Sequence, residues 1–344
     1  MSQIQRSKRN RRAMTLIELL VVIGIIVMLL AISIPLMKTM TAGNKVREAS
    51  RMINAYIAQV QSRAADRQRP CGIWIERGDE YSGAAAHIFA AEVPPPYAGD
   101  FIGAKASVTS VPANPIYGRA VFDSQSANLN RLVTDGDFIR FDYKGPYYEI
   151  ASVMPSPPPP GTPPPVPPNV IKFWYNGTPP KFPLPPNGSV SVSYQILRKP
   201  KRSSVGGIEL PKSSIVDLEW SGLGNLGTEF RPTNTTSDNT PIIIMFSPTG
   251  RVDFVYVQNS AFRPITPIHL LVGRADQVDT PVNRTLIAQD PEMTPNIKDV
   301  EAIWISIGHA TGSVTNSPNS PIQGGTVSDA RSEARQARIM RGSS

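Results

Sequence analysis

From Met14 to Ile34 the chain reads MTLIELLVVIGIIVMLLAISI, an apolar run broken by one ionisable side chain, Glu18, and one glycine, Gly24. As a helix rising 1.5 Å per residue it would be about 31 Å long, close to the hydrocarbon thickness of a bilayer. The expectation is therefore a transmembrane or assembly helix over 14–34. Beyond it, Val46, Ala49, Ile53, Tyr56, Ile57, Val60 and Ala64 recur at spacings of three or four, with Lys45, Arg47, Glu48 and Arg51 between them. That periodicity predicts an amphipathic continuation over 35–69, kinked at Pro35 and stopped by Pro70.

After Cys71 the period shortens to that of β-structure. Short runs such as Ile73–Glu76, His87–Ala91, Phe138–Tyr143, Tyr147–Val153, Val170–Tyr175, Val190–Leu197, Ile215–Trp220, Ile242–Phe246, Val252–Val257, Ile268–Val272 and Ala302–Ile307 lie between Pro, Gly and Asn punctuation. Strict alternation, as in Val190, Val192, Tyr194 and Ile196 against Ser191, Ser193 and Gln195, argues for half-buried antiparallel strands. Ser247-Pro248-Thr249-Gly250 is a hairpin turn signal. The fold class expected is α+β: a long kinked N-terminal transmembrane helix packed on an antiparallel, sandwich-like β-rich domain. That domain would span 70–315, with a proline-rich insertion at 155–186, followed by a linker and short basic C-terminal helix over 316–344.

Composition changes this picture in two places. The formal charge is +8, with 35 basic and 27 acidic residues, which invites a polyanionic partner. Five of the basic residues, Arg6, Lys8, Arg9, Arg11 and Arg12, lie in 1–13 without an acid, so the rest of the chain is close to neutral. Prolines number 35, ten of them between Pro155 and Pro168 and five more between Pro179 and Pro186. Polyproline II in a stiff exposed loop accounts for both tracts.

Candidate chemistry is sparse. One cysteine, Cys71, excludes an intrachain disulfide framework and a multi-cysteine zinc site. His87, His269 and His309 lack a partner signature, so structural roles are expected for them and for the thiol, with no catalytic residue, metal or cofactor. Asp135-Gly136-Asp137 resembles half a calcium loop, but too few ligands follow, and an Asx-type turn explains it. The basic run Lys199, Lys201, Arg202 and the tail arginines Arg331, Arg335, Arg338 and Arg341 are not interleaved with aromatic residues, so no nucleic-acid partner is expected.

The amino terminus resembles a known family. Ala13-Met14-Thr15-Leu16-Ile17-Glu18-Leu19, behind a basic leader, is similar to the processing motif of type IV pilins and pseudopilins. The resemblance implies removal of residues 1–13 by a prepilin peptidase, cleavage between Ala13 and Met14, and N-methylation of Met14. Ala13 departs from the glycine usual before the cut. It further implies that Glu18 pairs with the terminal amine of a neighbouring subunit, that Leu16 and the apolar run pack helix on helix, and that Pro35 occupies the family's kink position.

Gly207-Ile208-Glu209-Leu210-Pro211, Ile215-Val216-Asp217-Leu218 and Met245-Phe246-Ser247-Pro248-Thr249-Gly250-Arg251-Val252 look like the globular region of minor pseudopilins of the GspH/FimT kind. The implied role is a structural subunit of a type II secretion pseudopilus or type IV pilus-like filament. Its partners would be the peptidase, other pseudopilins and the bacterial inner membrane, with the globular part in the periplasm. The alternatives are a DNA-uptake or adhesive pilin-like binding protein and a signal-anchored periplasmic enzyme. An ordinary signal anchor would leave Glu18 unexplained, because a charge in mid-membrane is costly. A cleaved signal peptide fits poorly because the apolar run exceeds the usual length of about 7–15 residues and continues into a second helical segment.

Overall fold

The computed structural model describes residues 16–78, 81–110, 116–122, 129–155, 169–175, 188–204, 206–233, 238–258, 260–278, 294–320 and 327–342. Helix α1 (Leu16–Arg67) opens the chain, followed by strands β1 (Cys71–Glu76), β2 (Ala84–Ala85) and β3 (His87–Glu92). A second body then forms from β4 (Lys105–Ser110), β5 (Tyr117–Phe122), the short helix α2 (Leu129–Leu132), β6 (Phe138–Phe141), β7 (Tyr148–Pro155), β8 (Asn169–Trp174) and β9 (Val190–Leu197). The chain returns through β10 (Lys201–Arg202), β11 (Ile208–Glu209), β12 (Ser214–Leu223), β13 (Ile242–Phe246), β14 (Val252–Val257), β15 (Ser260–Phe262), β16 (Ile268–Arg274), β17 (Ile303–Ile307) and β18 (Val314–Pro318). It ends in helices α3 (Val327–Ala330) and α4 (Ser332–Gly342).

Two sheets build the first body. One has the order β10-β3-β1-β13-β14-β15, with β11 also on β3; the other runs β18-β17-β16-β12-β2. Val46, Ile53, Ile57 and Val60 of α1 share one buried cluster with Ile73 and Ile244 of the first sheet and Leu218, Leu270 and Ile305 of the second. Apolar area removed from water stabilises this arrangement at roughly 25 cal/mol per Å². Both sheets are also covered behind. Ile243 and Met245 of β13 pack with Ala91 on the back of the first sheet. Leu271 and Trp304 pack with Ala330 and Ala334 of α3 and α4 on the back of the second.

The second body is a closed barrel, β4-β5-β8-β7-β6-β9. Alternation puts Ala106, Val108, Ala120, Phe122, Ile171, Phe173, Tyr194 and Ile196 inside. Gly118 pairs directly with Phe173, and a Cβ there would lie 2.1 Å from the Phe173 ring, so the small interior closes only around a glycine. The barrel is inserted between neighbouring strands: it leaves after Glu92 and returns before Lys201, and those two residues are paired in register. Arg198 ties the two crossings by donating to the Pro95 carbonyl at 2.9 Å.

The expected architecture is corrected on two points. No helix among the described residues is long and apolar enough to cross a membrane. Nor is there a long kinked helix on a single sandwich-like domain: α1 runs through Pro35 without a break, and the β region divides into a two-sheet body and a closed barrel. Closure was hidden because β4 (KASVTS) and β5 (YGRAVF) turn mostly small residues inward, Ala106, Val108, Gly118 and Ala120, which give a weak strand signal on their own.

Buried charge is concentrated where β1 leaves the first sheet. Arg77 donates to the carbonyls of Thr240 and Ser82, both at 2.8 Å, and faces Asp238 at 3.8 Å. Burial alone would raise the Asp238 carboxyl. The Thr240 hydroxyl, the amides of Thr240 and Thr233, and the charge of Arg77 outweigh it and hold the carboxyl below the usual range. With the folded pKa depressed, its contribution is present above about pH 4 and is lost as pH falls through the lower folded value. Asp238→Asn is therefore expected to cost about 2 kcal/mol at neutral pH. It should also flatten the acid limb of a urea-denaturation profile recorded against pH.

Candidate functional site

Two regions present surface that the folded body does not use. The first is the amino-terminal part of α1. Ala13 and Met14, the expected cleavage and methylation positions, lie outside the described residues. From Leu16 to Leu29 every residue except Glu18 and Gly24 is a large apolar one, and exposures run from 84% at Leu16 to 40% at Val22. A Cβ at Gly24 would meet nothing within 4 Å. Apolar residues exposed on all sides of a helix are a binding surface waiting for neighbours, since soluble monomers rarely leave so large a patch open. Glu18 sits within this rod, on the described part of α1. Pro35 lies in a part of α1 where only the backbone is described, and that backbone is helical.

The second is a cleft of about 570 Å³ between barrel and first sheet. Pro94, Pro95 and Pro96 form one wall, Phe138, Tyr147 and Leu197 come from the barrel side, and Met245, Phe254 and Tyr256 come from the sheet. Arg69, Arg198 and Lys199 stand at its rim. Burial, with Asp253 and Asp137 adding negative charge, pushes the Tyr256 hydroxyl up to about 12, so it stays a neutral donor at physiological pH. Its walls are mainly apolar and aromatic, with cations at the edge and the Tyr256 hydroxyl and Asp253 carboxylate among the polar groups.

The residues screened for catalysis are scattered. Cys71 is buried at the start of β1, and burial, then Glu92, pushes its thiol up, away from a reactive thiolate. His87 is exposed at the start of β3, between Glu76 of β1 and Glu209 of β11, and stacked with Phe89. His269 does have a hydroxyl partner that reading the sequence missed: its Nδ1 lies 2.8 Å from Ser306 Oγ. Both are buried on paired strands β16 and β17, and neither lines the clefts described. Strand register brought them together, a relation no linear spacing of 37 residues announces.

Asp135 and Asp137 act as turn carboxylates: Asp135 accepts from the Val153 amide, and Asp137 from the amides of Thr134 and Lys199. Among the described residues no group of acidic, His and Cys side chains could hold a metal. The basic run is engaged internally. Arg202 pairs with Glu76 at 2.8 Å and lies over the Phe89 ring, and Arg331 is fully buried.

No curated protein and no solved structure matches the chain. Residues 8–34 match the model of the prokaryotic N-terminal methylation motif. The segment that ends in the exposed apolar rod is thus a prepilin-type amino terminus, of the kind carried by type IV pilin-like proteins.

Proposed function

We propose that this chain is a prepilin-type pseudopilin: a structural subunit of a type II secretion pseudopilus or related pilus-like filament that performs no covalent chemistry. One observation carries the reading. The methylation motif matched over 8–34 contains an apolar rod, Leu16–Leu29, exposed on every side and holding a single acid, Glu18. A peptidase acting at that motif removes the basic leader and frees the Met14 amine. In a filament, rods from several subunits bury one another's apolar faces, and a carboxylate so enclosed must be paired to be tolerated. The new amine of a neighbour is the partner of matching charge, and the pairing fixes the axial register.

The chain is then held at the bacterial inner membrane, its β-rich body on the periplasmic side. A minor-subunit role of the GspH/FimT kind draws support from the β13–β14 hairpin, closed by the Gly250 amide donating to Ser247.

Mass spectrometry of the protein recovered from the expressing bacterium tests this. The expected mature terminus is Met14 carrying one added methyl group; an intact leader, or a start near Ile34, refutes the proposal. Glu18→Ala is expected to leave the β body folded and to reduce incorporation into the filament at least tenfold, measured by shearing and immunoblotting. Unchanged incorporation would remove the register role.

A further inference from the structure

The barrel carries a third basic cluster that no stretch of sequence displays, because three separate strands assemble it. On β5 the interior takes Gly118, Ala120 and Phe122, so Tyr117 and Arg119 point outward. On β8 it takes Ile171 and Phe173, so Lys172 and Trp174 point outward. Register sets Tyr117 opposite Trp174 and Arg119 opposite Lys172. The two rings lie 4.5 Å apart between centroids, tilted by 41°, and Trp174 remains 39% exposed. On the same outer face, neighbouring β4 adds an exposed cation, Lys105, four residues along the strand from Thr109, the partner of Arg119.

Strands β4, β5 and β8 contain no acid. Among the described residues none of the three cations has an ion pair. The nearest carboxylate on β7, Glu149, turns toward Gly136 and Lys199 instead. Like charges placed directly opposite on a sheet destabilise it, and among the described residues no carboxylate pairs with Arg119 or Lys172.

We propose that this face of the barrel binds single-stranded nucleic acid. The cations meet phosphates, and the Tyr117–Trp174 pair offers a stacking platform to unpaired bases. Arg119 and Lys172 each stand two residues along the strand from an aromatic ring, about 7 Å, comparable with one nucleotide of an extended strand. The outer face of a closed barrel is convex, with no projecting helix or ribbon on these strands to enter a duplex groove and reach bases already stacked inside one. An acidic peptide would satisfy the cations but leave the rings unused.

The test titrates the full chain, in detergent, into a labelled short oligothymidylate and follows anisotropy. Three phosphate contacts predict a slope of log K against log salt near −2, which weakens binding about 15-fold between about 50 and 200 mM salt. Trp174→Ala is expected to weaken binding about tenfold or more, and Trp174→Phe to restore most of it. Arg119→Ala with Lys172→Ala should bring the slope to about −0.7. The three substituted side chains face outward, so unchanged circular dichroism and melting temperature verify the folds, and Lys212→Ala, at an exposed turn of the two-sheet body, should bind as the parent does. Three results would overturn the proposal: no binding at about 50 mM salt, affinity indifferent to Trp174→Ala, or equal or tighter binding of a duplex or of dextran sulfate.

Discussion

Replacing Ile57 with alanine is expected to destabilise the folded protein by about 4 kcal/mol, read as a lower urea midpoint at unchanged slope. Ile57 is fully buried in the middle of the α1 stripe, among residues of both sheets. The helix touches β1 and β13 of one sheet and β12, β16 and β17 of the other, so a void at Ile57 opens at the junction of three surfaces. Neither sheet can move in to fill it without losing contact with the helix elsewhere, which is the condition under which the cavity penalty is largest. Ile57→Val, which removes one methyl group, should cost only about 1 kcal/mol. Leu20→Ala, on the exposed rod of the same helix, is expected to change the midpoint by less than about 0.5 kcal/mol in the monomer. One helix thus gives two opposite outcomes, and the division falls where it joins the β body.

Arg331→Leu should be nearly as damaging, at about 3–5 kcal/mol, because it removes the donors from a buried cluster of acceptors. The Arg331 guanidinium donates to the carbonyls of Gly224 and Trp220 at 2.7 Å and of Gly227 at 2.9 Å, and lies 4.8 Å over the Trp304 ring. Burial lowers its pKa to about 10, so it remains charged at neutral pH. Leucine would leave three carbonyls without their donor while keeping much of the volume, which separates lost hydrogen bonding from lost packing. Arg331→Lys retains a cation but not the planar fork, and an intermediate value is expected. The loss should appear first as release of α3 and α4 from the back of the second sheet, detected as faster proteolysis after residue 320.

The sequence showed some of this architecture and concealed the rest, for physical reasons. The period of three and four from Val46 to Ala64 was visible because one face of α1 meets a continuous core, and those residues are the buried ones. A strand with strict apolar alternation, β9, and strands with near-continuous apolar runs, β13 and β16, were equally plain. Barrel closure was not, since it depends on β4 pairing with β9, partners more than eighty residues apart that show no local sign of it. The role of Arg331 was also invisible. Among tail arginines it looks like solvated charge, and only the converging carbonyls of the β12 turn distinguish it. The prepilin motif was legible because recognition there is by a linear segment, and the aromatic–basic face was not because recognition there is by a surface.

The way the barrel joins the body has a mechanical consequence. Its two crossings run side by side, linked by the Tyr97–Ile196 bridge, the Arg198–Pro95 bond and the Glu92–Lys201 pair. A pull on a ligand held by the barrel therefore enters and leaves through adjacent points. Such a load opens these links one after another, like a zip, rather than shearing the long β3–β1–β13 pairings all at once. Tension would be absorbed first by the short β10 edge, while α1 and the core around it stay unstrained. The barrel is mounted as a tether that can yield without disturbing the rod.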